Sequence, residues 1–105
     1  MARRPSYDGL EVGLGPYRVT LTVRPLEGEY GNFSERPARI TVAEGLDPIT
    51  RGSVVIHELI HYVDSVVGLG LSEQKTRALE AALVTLISQN PGLASLLVRD
   101  LTAGE

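Results

Sequence analysis

Residues 47–73 read DPITRGSVVIHELIHYVDSVVGLGLSE. Asp47-Pro48 starts a helix: the aspartate can accept from the unpaired N–H groups of a first turn, and proline suits the first helical position. Gly52-Ser53 weakens the first half of that helix. Gly68-Leu69-Gly70 ends it after Val67, because glycine takes the left-handed conformation common past a helix C-terminus. Between these signals His57, Glu58 and His61 are flanked by Val55, Ile56, Leu59, Ile60, Val63, Val66 and Val67. A helix this apolar is buried, and polar side chains on a buried helix need partners. Ser72 then caps a second helix, with Glu73 in its first turn, where a negative charge favours the helix dipole.

Downstream, Leu79, Ala82, Leu83, Leu86 and Ile87 recur at helical spacing to about Asn90. Pro91 opens a third, short helix through about Leu101, with Leu93, Leu96, Leu97 and Leu101 as its apolar side. Upstream, residues 16–24 (PYRVTLTVR) alternate: Tyr17, Val19, Leu21 and Val23 face one way, Arg18, Thr20, Thr22 and Arg24 the other. Such alternation with β-branched residues marks a half-buried strand. Residues 25–32 (PLEGEYGN) read as a turn, Phe33 is placed to open a short strand, and Ala38, Ile40 and Val42 alternate in a further one. The Gly-, Pro- and Arg-bearing residues 1–15 are expected to be flexible, at least at their start. The pattern predicts one α+β domain over 1–105: a short antiparallel sheet packed on the helix of residues 47–67, followed by one or two further helices.

With 105 residues, 10 basic and 13 acidic, the chain is long enough for one domain and carries no basic excess. No nucleic-acid partner is expected from that balance. The absence of cysteine removes disulfides and thiolate metal sites. No signal-type apolar run follows the N-terminal arginines, and no stretch is long enough to span a membrane. The expectation is a cytoplasmic protein without a membrane partner.

His57-Glu58-Leu59-Ile60-His61 carries the chemistry. Residues four apart share a helix face, so both imidazoles can reach one metal ion, and two neutral imidazoles suit Zn²⁺. Glu58 beside the first ligand is placed to act as general base toward a water activated by the metal. The alternative is a chance motif on an amphipathic helix. Against it, these are the chain's 2 histidines, and they stand at the required spacing. Catalytic zinc takes three protein ligands. With no further histidine or cysteine, the third must be a carboxylate: Asp64, Glu73 or Glu80. Asp64 shares the His face but suits a hydrogen bond to an imidazole better than ligation. Glu80 is favoured if the two helices run strictly antiparallel, Glu73 if they cross steeply at the glycine turn. Among oxyanion donors, Tyr7, Tyr17, Tyr30, Tyr62 and several arginines are available, with Tyr62 turned off the His face toward the core.

From Leu46 to about Leu97 the chain resembles the small HExxH zincins met in phage and prophage genomes, related in plan to the minigluzincins. The resemblance rests on Ile56–His61, on Gly68-Leu69-Gly70-Leu71-Ser72-Glu73, on Leu79-Glu80-Ala81-Ala82-Leu83 and on Asn90-Pro91, with Pro16-Tyr17-Arg18-Val19 and Gly31-Asn32-Phe33 fitting the N-terminal sheet. It implies a zincin-like fold and a metal-capable residue second in the helix after the glycine turn, here Glu73. Gln74 departs from the acid often found next. The resemblance implies no known substrate. The expected function is a zinc-dependent metallopeptidase, with a peptide or protein pairing as an added strand beside the metal. A zinc-binding regulatory or interaction domain with little turnover is the alternative, favoured by the small size.

Overall fold

The structure, a computed structural model, describes residues 6–104. Four strands, β1 (Glu11–Leu14), β2 (Tyr17–Arg24), β3 (Gly31–Glu35) and β4 (Ala38–Ala43), precede three helices, α1 (Pro48–Val67), α2 (Glu73–Gln89) and α3 (Pro91–Leu101). The helix boundaries follow the sequence signals. Asp47 accepts from the Thr50 N–H, Gly68 closes α1 with φ of 77°, and Ser72 accepts from the Lys75 N–H at the start of α2.

The sheet is mixed, which corrects the expected antiparallel one. Its order is β1-β2-β4-β3; β2 and β4 run parallel, and the two outer pairs run antiparallel. The β3–β4 hairpin docks with β4 inward. The physical reason is burial: Ile40, Val42 and Ala43 of β4 are buried, whereas β3 (GNFSE) is polar and holds no buried residue. The apolar strand takes the central position, and the linker after β2 is long enough to let β4 slip between β2 and β3. A second correction concerns the N-terminal segment, where residues 11–14 form β1 against β2. Residues 1–5, also expected to be flexible, lie outside the described residues.

Val19, Leu21, Ile40 and Val42 on one sheet face meet Val55 and Tyr62 of α1 in the core. Each such side chain contributes about 1.5–3 kcal/mol when fully buried, so α1 sits on a firm base and its opposite side is left for the site. Tyr62 is in the core as the sequence suggests, its ring edge-on to Phe33 with 6.1 Å between centroids. Its buried hydroxyl has no hydrogen-bond partner among the described residues. An unsatisfied buried hydroxyl costs about 1–3 kcal/mol. Tyr62→Phe is therefore expected to raise stability by about 1 kcal/mol, read as a higher midpoint in thermal melts; a lower midpoint would show that the hydroxyl is bonded. Among the described residues, no single helix is long and apolar enough to cross a membrane.

Candidate metal centre

His57 and His61 project from one side of α1, one turn apart, with their Nε2 atoms 3.1 Å from each other. The turn after α1 brings α2 against them. Asp64 fixes this turn: its Oδ1 accepts from the Gly70 N–H at 2.7 Å and its Oδ2 from the Leu71 N–H at 3.1 Å. Gly68 and Gly70 both need positive φ here. The Asp64 carboxylate is thus engaged by the turn. It makes no hydrogen bond to an imidazole among the described residues and stands outside the cluster of His57, His61 and Glu73, in place of the expected bond to a ring N–H.

Glu73, at the first turn of α2, closes the set. Its Oε1 lies 2.9 Å from His57 Nε2 and its Oε2 3.3 Å from His61 Nε2. The structure brings together the two histidines and Glu73, with one donor atom from each within 4.8 Å of the others. Ligand atoms 2.0–2.1 Å from a tetrahedral zinc stand about 3.3–3.4 Å apart, so the set needs only slight opening to accept one.

Glu80 has a different task from the one considered for it. Its Oε1 lies 2.7 Å from His57 Nδ1, and its Oε2 accepts from the Ser53 hydroxyl at 3.0 Å. A carboxylate only accepts, so the contact with Glu80 uses a proton on Nδ1. That leaves Nε2 as the ring atom facing Glu73 and His61, and a neutral ring in this orientation would offer its Nε2 lone pair to a metal ion. Glu80 is thus placed to orient the ring as ligation through Nε2 would require.

Glu58 lies against β3, beside the same hollow as His57 and Glu73, and is only 7% exposed. Burial raises its pKa above the ordinary carboxylate value, while the neighbouring His57 and His61 pull it down. A raised pKa suits a base that must take and return a proton near neutral pH. β3 comes close here because residue 31 is glycine. A Cβ at Gly31 would stand 2.6 Å from Val54 Cγ1 and 3.4 Å from Glu58 Cγ. A hollow of about 320 Å³ opens beside Gly31, His57, Glu58 and Glu73, and Tyr30 and Arg77 line it. Of the tyrosines considered as donors, Tyr30 is at the site, Tyr62 is in the core, Tyr7 lines a separate hollow, and Tyr17 is exposed on β2.

The chain matches no family model, no curated protein and no solved structure.

Sequence reasoning missed Gly31, Ser53 and Arg77. Ser53 stands four residues before His57 and so shares its face, a signal present in the sequence. Gly31 and Arg77 had none, since their place depends on how β3 and α2 pack on α1. Glu80→Ala is expected to weaken zinc binding about 10–100-fold, as loss of a hydrogen bond behind a ligand does. Glu73→Ala is expected to weaken it further. Competition with a chromophoric chelator measures both, and equal losses would make Glu80 as much a ligand as Glu73.

Proposed function

We propose that this chain is a zinc-dependent metallopeptidase-type hydrolase with a zincin-like site: His57, His61 and Glu73 hold the metal, and Glu58 is the general base. The observation that carries the reading is the convergence of three donor atoms with a buried carboxylate beside them and an open sheet edge alongside. A zinc ion held there would polarise a carbonyl and acidify a water. Glu58 takes the proton of the attacking water on its carboxylate and returns it to the leaving amine. Tyr30 and Arg77 are the donors positioned beside the hollow for the developing oxyanion.

The edge strand supports a peptide as substrate. Ala43 donates its N–H to the Tyr30 carbonyl, which fixes Tyr30, Asn32 and Ser34 as the residues bonded to β4. By the alternation of an antiparallel ladder, Gly31, Phe33 and Glu35 turn their N–H and C=O groups to the open edge. An extended peptide can add there as a further strand and pass the histidines. Hydrolysis of casein or labelled peptides, abolished by a chelator and restored by zinc, tests the proposal. Zinc retention without cleavage of any peptide would favour a regulatory zinc domain instead.

A further inference from the structure

Apolar surface is unevenly covered in this molecule. α1 buries Val55, Ile60 and Tyr62, whereas α2 buries only Thr76 and α3 buries nothing. Leu93, Leu96, Leu97 and Leu101 form one stripe along α3 and remain between 42% and 80% exposed. α1 and α2 enclose a groove of about 340 Å³ with apolar walls that include Ile56, Ile60, Val63, Leu79 and Leu83. That is more than twice the ~150 Å³ cavity that takes a benzene ring. α3 bends away from α2 by 96° and contributes no residue to the groove.

The surface area has the same imbalance. The chain exposes 7846 Å², where a compact monomer of its mass exposes about 5,700 Å². Its radius of gyration is 14.4 Å, against about 13 Å for a compact domain of this length. The excess area, on the order of 2,000 Å², is close to what each chain of an obligate homodimer covers, about 1,000–2,500 Å².

We propose that the protein is a two-fold dimer in which α3 of each copy lies in the α1–α2 groove of the other. A protruding leucine stripe and an apolar groove of the same chain are complementary, and reciprocal exchange across a two-fold axis satisfies both at once in a closed assembly. A lipid surface fits less well. Helices that lie on anionic membranes carry a basic excess, whereas α2 and α3 balance Lys75, Arg77 and Arg99 against Glu73, Glu80 and Asp100. The dimer also has a consequence for the site. α2 carries both Glu73 and Glu80, and a partner helix in the groove clamps α2 against α1.

Sedimentation equilibrium at micromolar concentration is expected to give twice the 11.3 kDa chain mass. Leu97→Glu on α3 and Leu83→Glu in the groove are each expected to raise the dissociation constant at least about tenfold, as central interface residues do. Mixing the two variants is expected to give tighter association than either variant alone, because the intact α3 of the Leu83→Glu chain meets the intact groove of the Leu97→Glu chain in one of the two contacts. A mixture that associates no more tightly than either variant alone would overturn the exchange. A wild-type monomer overturns the proposal outright, including the case in which it sediments with phosphatidylserine-containing vesicles, which assigns the face to lipid.

Discussion

Zinc added to the metal-stripped protein is expected to raise its melting temperature by on the order of 10–20 °C. A ligand at a hundred times its dissociation constant stabilises the folded state by about 2.7 kcal/mol, and 1 kcal/mol moves the midpoint of a domain this size by about 4–8 °C. The effect is large here because of what the ion would join. His57 and His61 sit on α1, which the sheet holds firmly, and Glu73 sits on α2, whose one buried residue is Thr76. Packing alone anchors α2 weakly, so a link between its first turn and α1 adds directly to the stability of the helix pair. His57→Ala and His61→Ala are each expected to abolish the zinc-dependent shift and to leave less than one zinc per chain by metal analysis. A shift of full size in either variant would place the ion elsewhere.

Helix boundaries were legible because they depend on local chemistry. Asp47-Pro48, Gly68 and Ser72 each satisfy or end backbone hydrogen bonding within a few residues, and the structure places α1 and α2 where these signals put them. The two histidines were legible for the same reason, since spacing along one helix decides which side chains share a face. Sheet order was not. Whether β4 lies beside β2 depends on which strand buries more once α1 has packed, and Ile40 and Val42 win that position from β3 only in the assembled fold. β1 escaped notice because four residues between glycines carry little periodic signal. The roles of Glu73 and Glu80 were left open by spacing alone. Both lie on the same side of α2, and the crossing of α2 over α1 sets which one reaches the Nε2 atoms and which one reaches Nδ1. Asp64 shows the opposite limit: it shares the histidine face by spacing, yet the backbone N–H groups of the turn claim its carboxylate first.

Glu58→Gln is expected to keep the zinc and to lower peptide hydrolysis by about 10²–10⁴-fold, the usual contribution of a general base. Glutamine matches glutamate in volume, so the close approach of β3 at Gly31 and Val54 is preserved. It cannot accept a proton at neutral pH, so the step that moves a proton from water to the leaving amine loses its carrier. The proposed ligand set of His57, His61 and Glu73 does not include Glu58, and zinc content is expected to remain one per chain. The fold is expected to be at least as stable, because burial disfavours the charge that the substitution removes. Loss of turnover with metal and melting temperature retained separates a base from a structural residue. Activity that survives in the zinc-loaded variant would remove Glu58 from the mechanism.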